Sequence, residues 1–141
     1  MTTLDTNAGL RASNADYAAL ILRVSTGVLF LAHAWLKIAV FTPAGTAGYF
    51  ASIGLPGALA YLTIAAELLG GLALIAGVYT RLVSLALIPV LLGAAWFGHG
   101  ANGFFFSNAN GGWEYPVFWA IVMGVLALLG NGAHALRKSD R

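Results

Sequence analysis

The sequence predicts an all-α membrane protein, a bundle of four antiparallel transmembrane helices with both termini in the cytoplasm. Three observations support this fold class. Hydrophobic residues make up 60% of the 141 residues and charged residues only 9%, against about 45–50% and 25% in soluble domains. Four apolar stretches have the length, roughly 20 residues, that crossing a bilayer requires. The basic residues outside these stretches all fall on one predicted side.

The same composition excludes several classes of protein. So few charges cannot cover a water-facing surface, and disorder requires low hydrophobicity with high charge. The chain has no cysteine, which excludes disulfides, thiol redox chemistry, thiolate metal sites and covalent haem of the c type. The net charge of +2 is not gathered in a dense patch, so we expect a lipid bilayer and no nucleic acid as partner.

The predicted membrane domain covers about residues 17–134, between a polar N-terminal tail, 1–16, and a basic C-terminal tail, 135–141. These runs are too long, too rich in Leu and Ala and too weakly alternating for transmembrane β-strands. Because Asp16 precedes the first run and Arg23 interrupts it, we expect a retained span and not a cleaved signal peptide. The four helices are expected at about residues 17–41, 56–78, 82–100 and 115–130.

The connections fit this order of helices. Residues 42–55 hold Gly, Pro, Thr and Ser, which predicts a loop with one possible helical turn in the membrane interface. Residues 79–81 form so short a link that the second and third helices should make a tight hairpin. Residues 101–113 are rich in Asn and Gly around three phenylalanines, a composition typical of the headgroup region.

Basic residues set the predicted orientation. With four spans, the N-terminus, the link at 79–81 and the C-terminus share one side of the membrane. The two opposite loops contain neither Lys nor Arg, so the positive-inside rule places the termini in the cytoplasm. The basic residues concerned are Arg11, Arg81, Arg137, Lys138 and Arg141.

One face of the first helix carries nearly all of its polar side chains. Arg23, Thr26, Phe30, His33 and Lys37 follow one another at steps of three and four residues, which places them on one stripe. Ionisable residues inside a membrane usually face the bundle interior or an aqueous cavity. Arg23 and Lys37 could instead extend to the headgroups, but the shorter side chain of His33 cannot.

The second helix places a carboxyl group near mid-membrane. Glu67 shares a face with Thr63 and with Gly70 and Gly71, which allow close helix contact. A lone carboxylate there is strongly disfavoured. Two interpretations stay open: an ion pair with Arg23 that fixes the helix register, or a carboxyl group that carries a proton in a site.

Two further ionisable residues lie toward the outer side. His99 is near the outer end of the third helix, at about the height of His33, and Glu67 lies roughly 10 Å lower at ~1.5 Å per residue. Glu114 precedes the fourth helix, where capping of free amides is the alternative to lining a pocket. We expect a pocket in the outer half, formed by Arg23, His33, Lys37, Glu67, His99 and Glu114.

A quinone suits such a pocket, because its ring lies between apolar groups and its redox chemistry needs groups that donate and accept protons. His33, Lys37 and His99 are expected to contact the ring oxygens and Glu67 to exchange protons, while Arg23 holds Glu67. Haem b between the two histidines is an alternative. So is a non-haem metal, although no Glu-x-x-His pair is present. An interfacial aromatic belt is the alternative to a pocket wall for the aromatic residues of these helices. The expected aromatic walls are Phe30, Trp35, Trp96 and Trp113.

The chain resembles the DoxX family of small four-helix bacterial membrane proteins over about residues 17–137. Ala34 departs from the pattern, since the family often has Gly after the histidine of the first helix. The stretches that carry the resemblance are Leu22-Arg23 with FLAHAWLKI (30–38), GTAGYFASIGLP (45–56), AELLGGLALIAGVYTR (66–81) and HGANGFFFSNANGGWEYP (99–116).

The resemblance implies a multi-pass protein of the bacterial inner membrane. The family takes its name from a membrane subunit linked to thiosulfate:quinone oxidoreduction, and some members look like partners of soluble redox or detoxifying enzymes. It therefore implies a quinone-linked oxidoreductase subunit or accessory, working with other membrane or redox subunits.

Two other functions stay open. A scaffold subunit would use its buried charges only to register the helices, and its small-residue faces and aromatic loop to bind neighbours. A small transporter would need a homo-oligomer, since four short helices enclose little room.

Overall fold

The computed structural model describes residues 11–137, so residues 1–10 and the last part of the predicted C-terminal tail, with Lys138 and Arg141, lie outside it. Five α-helices and no strand are present in the described part of the chain. The helices are α1 (Asn14–Trp35), α2 (Pro43–Ser52), α3 (Ala58–Ala76), α4 (Thr80–Gly93) and α5 (Glu114–Leu129).

Two of these helices continue as short π-helical segments. Leu36–Val40 extends α1, and Ala94–Gly98 extends α4. With these extensions, three apolar helices are long enough to cross a bilayer: Asn14–Val40 with 27 residues, and Ala58–Ala76 and Thr80–Gly98 with 19 each. The fourth predicted span is a shorter apolar helix, since α5 has 16 residues.

The main difference from the expected elements is α2, a full helix of 10 residues where a loop with one helical turn was predicted. Thr42 caps it by accepting a hydrogen bond from the amide of Gly45 at 3.1 Å. Pro43 occupies the first turn, where its missing amide costs nothing. This N-cap and proline pair is visible in the sequence and outweighs the helix-weakening glycines that follow.

The first helix begins three residues before the expected Tyr17. Ser13 and Asp16 form a capping box, in which the Asp16 carboxylate accepts from the Ser13 amide at 2.8 Å. The Ser13 hydroxyl in turn accepts from the Asp16 amide at 3.2 Å. Asp16 therefore acts at the start of a helix, where a carboxylate is favoured.

The bundle has two ends. At the terminal end lie Ser13, the link between α3 and α4 at Gly77, and Gly130 after α5; the loop end holds α2 and residues 99–113. Helix α1 packs most closely on α3, and α4 on α5. A buried core of Phe30, Leu74, Leu87 and other apolar side chains lies between them.

Two glycines bring the backbones of α1 and α3 together. A Cβ on Gly71 would lie 2.9 Å from the carbonyl oxygen of Gly27, and one on Gly27 would lie 2.8 Å from that of Gly71. The close contact expected from the glycines of the second predicted helix is thus confirmed for Gly71. It also fixes the height at which the polar stripe of α1 faces α3.

Candidate functional site

A cavity of about 890 Å³ lies between the helices at the loop end. Its wall is mainly apolar, which is typical of sites for small organic ligands. The polar residues that line it come from α1 and its π-helical extension, from α2, from α3 and from the residue after the second π-helical segment, and they are His33, Lys37, Thr46, Thr63, Glu67 and His99. The structure therefore brings four of the six predicted site residues to one cavity.

The central polar feature of this cavity is an ion pair between α3 and the π-helical segment after α1. The ammonium group of Lys37 lies 2.9 Å from each carboxylate oxygen of Glu67. The side chain of Glu67 is 7% exposed and that of Lys37 is 18% exposed. In such a dry environment the pair holds both charges in place, and removal of one partner would leave the other uncompensated.

The two histidines His33 and His99 also line this cavity. The His33 ring packs against the Trp119 ring, with centroids 5.3 Å apart. The Nδ1 atom of His99 lies 3.1 Å from the carbonyl oxygen of Gly111. Because a carbonyl oxygen only accepts, His99 Nδ1 carries the proton, and Nε2 is the ring atom left for a ligand.

Both π-helical segments supply residues to the cavity. Leu36–Val40 contains Lys37, and Ala94–Gly98 contributes Phe97 and directly precedes His99. A π-helical turn is wider than an α-helical turn and shifts the side chains that follow it, which is why such turns are frequent at functional sites. The polar stripe of α1 is thereby continued past Trp35 at an altered angle.

The aromatic wall comes from four parts of the chain. Trp119 on α5 is 5% exposed and contacts Phe30 as well as His33, with a ring-centroid distance of 4.4 Å to Phe30. A flat ring inserted into the cavity would therefore find both aromatic faces and hydrogen-bonding groups. The aromatic residues that line the cavity are Phe41, Tyr49, Phe50, Phe97, Tyr115 and Trp119.

The sequence of this chain is similar to those of known proteins. The model of the DoxX family matches residues 18–100, more than half of the chain. The chain belongs to the DoxX family. No solved structure matches it.

Two proteins with known names are similar to this chain in sequence. "Inner membrane protein YqjF" of Escherichia coli is 30% identical over 131 residues, covering 87% of this chain and 92% of that protein. "Putative oxidoreductase CatD" of Bacillus subtilis is 39% identical over 79 residues. That second match covers 56% of this chain and spans 58% of the relative's own length.

Arg23 was a predicted site residue, but it does not line the cavity. The expected pair with Glu67 does not form, because Lys37 holds Glu67 and the Arg23 side chain turns toward the terminal end. There its guanidinium donates to backbone carbonyls after α5 and in the last turn of α3, where the regular helix hydrogen bonds end. These acceptors and distances are Asn131 at 2.9 Å, Ala133 at 2.7 Å, Leu74 at 3.2 Å and Ile75 at 2.6 Å. The Leu74 carbonyl also accepts a hydrogen bond from the Gly77 amide.

Glu114 does not line the cavity either. Its carboxylate accepts a hydrogen bond from the amide of Phe106 at 2.8 Å and borders a smaller pocket of about 440 Å³ under the aromatic loop. The expected capping of the helix's own amides is also absent at α5, whose N-cap residue is Trp113. Glu114 instead ties residues 104–106 to the start of α5.

The predicted aromatic walls lie elsewhere in the DoxX structure. Trp96 is 78% exposed and Trp35 is 60% exposed, both on the surface of the bundle. Phe30 is fully buried in the core behind Trp119, and Trp113 borders the smaller pocket. Trp96 belongs to the π-helical segment Ala94–Gly98, and its neighbour Phe97 is the aromatic residue of that segment that lines the cavity.

The residues that sequence reasoning missed are chiefly Trp119, Tyr49 and Tyr115. Trp119 lies one turn after Tyr115 on α5 and faces the core. This spacing of four residues places both on one helix face and could have identified Trp119 as a cavity residue. Tyr49 reaches the cavity only because α2 forms a full helix over the loop end. Among residues 11–137, no three His, Asp or Glu side chains come together in a group that would hold a metal ion.

Proposed function

We propose that this DoxX-family membrane protein binds a quinone in the cavity at the loop end and serves a quinone-dependent oxidoreductase as a subunit or accessory. The observation that carries the proposal is the joining of aromatic walls and an ion pair in one cavity of about 890 Å³. Sites for small ligands typically measure ~300–1,000 Å³ and combine an apolar wall with few polar groups. The relative named "Putative oxidoreductase CatD" supports the reaction class.

The proposed topology has four spans, with α5 as the fourth. The 16 residues of α5 are short for a span, but its exposed face is apolar, as the exposure of Phe118, Ile121 and Leu128 shows. The distribution of Lys and Arg supports a cytoplasmic terminal end, so the cavity opens in the outer half of the bilayer. The name of the relative "Inner membrane protein YqjF" supports an inner-membrane location.

Lys37 and the two histidines would bind the ring oxygens. The Lys37 ammonium has three N–H donors, and its two contacts with Glu67 leave at least one for a ligand. His99 contributes Nε2, and His33 presents its ring beside Trp119. A positive charge next to a ring oxygen favours negative charge developing there.

A bound quinone supplies two-electron, two-proton redox chemistry. Glu67 and His33 are the groups of this chain that would give or take the protons at the ring oxygens. Since the chain has no cysteine, no thiol relay carries electrons through it. Electrons would pass between the quinone and a redox subunit or donor bound to this protein.

The proposal is tested by purification in a mild detergent, followed by mass spectrometry of the extracted lipids and titration with a quinone. We expect co-purified quinone and saturable binding, with at least about tenfold weaker binding in His33→Phe and Glu67→Gln, the loss of one buried hydrogen bond or charge. An optical spectrum and a metal analysis of the same preparation report on the haem and metal alternatives. Protein without quinone that also binds none in titration would overturn the proposal.

The scaffold function is the second candidate, and one observation favours it. The buried charges are already satisfied inside the protein, Glu67 by Lys37 and Arg23 by four carbonyl groups. Glu67→Gln and His33→Phe separate the two candidates. If these variants lose assembly with other subunits while the reconstituted complex keeps its activity, the protein is a scaffold.

A further inference from the structure

The cavity lies against the gap between α3 and α4. Helix α1 contacts α3 and α5, and α4 contacts α5, so α3 and α4 complete the four-sided bundle. His33 and Lys37 on the α1 side and Trp119 on α5 form the wall opposite this gap. Leu62 on α3 and Phe97 in the segment after α4 line the cavity and are exposed, so the cavity reaches the surface of the bundle between these two helices.

This gap is closed at the terminal end. The α3–α4 link is only a few residues long, with Gly77 in a left-handed conformation at a φ of 72°. About two helical turns above it, a Cβ on Gly70 would lie 2.8 Å from Leu87 Cδ1. The two helices therefore touch at that height, and the cavity begins at Glu67, one turn closer to the loop end.

The gap widens toward the loop end. Pro89 interrupts the hydrogen bonding of α4, because it has no amide hydrogen, and α4 then passes into its π-helical segment at Ala94. From Pro89 onward α4 and its π-helical segment line the cavity, and the π-helical segment packs more closely on α5 than on α3. Helices α3 and α4 thus contact each other at Gly70 and leave an opening between Gly70 and the loop end.

Apolar side chains flank this opening on both sides. We call it the α3–α4 opening and define it by Leu59 and Leu62 on one side and Val90 and Phe97 on the other. All four line the cavity, yet Leu62 is 65% exposed and Phe97 is 44% exposed. Leu62 and Phe97 therefore contact both the cavity and the outside of the bundle. Both lie on helices that are long and apolar enough to cross a bilayer.

We infer that the ligand reaches the cavity sideways from the bilayer through the α3–α4 opening, and that it is a ring compound with an apolar tail. The ring lies against Lys37 and Glu67, and the tail passes between Leu62 and Phe97 into the lipid. The inference rests on the proposed function of the cavity. A water-soluble ligand from the outer face would instead pass α2 and residues 99–113.

The experiment uses the purified full chain in lipid nanodiscs and a benzoquinone with a decyl tail that ends in a photoreactive diazirine. We expect photolabelling of residues 59–62 and 90–97, and its suppression by the same ring without a tail. Leu62→Trp should lower the labelling about tenfold by overfilling the opening. Leu69→Trp is the matched control, because Leu69 is 66% exposed on the same helix and does not line the cavity.

The outcomes separate the two proposals. If the tailless ring suppresses labelling but the labelled residues lie in α2 or at 99–113, the α3–α4 opening is refuted and the quinone site stands. Equal labelling of Leu62→Trp and Leu69→Trp refutes the opening as well. If the tailless ring neither binds nor suppresses a diffuse labelling, the proposed function itself is refuted.

Discussion

The buried charged groups have different kinds of partner at the two ends of the bundle. At the terminal end, the fully buried Arg23 gives its hydrogen bonds to four backbone carbonyls, and Asn131 joins it by accepting from the Thr80 amide at 3.0 Å. At the loop end, Lys37 and Glu67 pair with each other at the wall of a cavity. The first arrangement uses polar groups to close helix ends, and the second keeps them next to space that a ligand can fill.

This difference teaches how to interpret an ionisable residue inside a membrane protein. Each end holds a basic residue, Arg23 or Lys37, of the same polar stripe, so the type of residue alone does not identify a site. The partner does: backbone carbonyls that cannot move indicate a structural cation, whereas a side chain on another helix beside a cavity can exchange its partner for a ligand.

Replacement of Arg23 tests the terminal end and should have the largest effect. Arg23→Met removes the guanidinium donor from four carbonyl groups. The Leu74 carbonyl keeps the Gly77 amide, and each buried group left without a donor costs ~1–3 kcal/mol. We expect a loss of about 3–5 kcal/mol of unfolding free energy, or failure to fold, in thermal unfolding monitored by size-exclusion chromatography. Arg81→Met is the control, because Arg81 is exposed; equal losses in the two variants would contradict the structural role of Arg23.

The contact between α1 and α3 sets the position of Lys37 opposite Glu67. Gly71→Ala should destabilise the protein by about 1–3 kcal/mol, because its Cβ meets the backbone of Gly27. Gly124→Ala on α5 is the control, since a Cβ there meets nothing within 4 Å. The control should be neutral or gain up to about 1 kcal/mol, and the same loss in both variants would argue against the close contact.

The ion pair at the loop end should behave differently from the arginine. Lys37→Met leaves Glu67 buried without its partner, and we expect a loss of about 1–2 kcal/mol as Glu67 takes up a proton. The double variant Lys37→Met with Glu67→Met should recover most of that loss, since an apolar pair replaces an ion pair at little cost. A double variant less stable than Lys37→Met would mean that the pair is needed for folding.

The exposed tryptophan should matter least. Trp96→Leu is expected to change the unfolding free energy by less than about 0.5 kcal/mol and to leave quinone titration unchanged, because the side chain lies on the surface of the bundle. Trp119→Leu, in the cavity wall, should weaken the same titration clearly. Weaker quinone binding in Trp96→Leu would move the site away from the cavity.

Much of the fold could be predicted from hydropathy alone. The apolar runs at 17–41, 56–78, 82–100 and 115–130 each became a helix, since nothing but a helix satisfies the backbone of a long apolar run in lipid. Helix α2 was missed because its glycines and threonines resemble a loop. The capping by Thr42 and Pro43 decides the matter, and such local signals outweigh average composition.

The site was predicted only in part, and the reason is geometric. Helical periodicity placed His33 and Lys37 on one face correctly, but it cannot say which partner lies opposite. The choice of Arg23 as partner of Glu67 failed because backbone carbonyls at the end of α3 compete for the guanidinium. Trp96 failed because its aromatic character and its position near His99 do not decide whether the side chain faces the cavity or the surface, where it is 78% exposed.

The most direct test of the account uses the four tryptophans of the chain. A variant that keeps Trp119 and replaces Trp35, Trp96 and Trp113 with Phe reports on the cavity, and one that keeps only Trp96 reports on the surface. We expect a quinone to quench Trp119 fluorescence saturably, at concentrations where Trp96 shows only linear, collisional quenching. Linear and equal quenching of both would contradict a quinone site in this cavity.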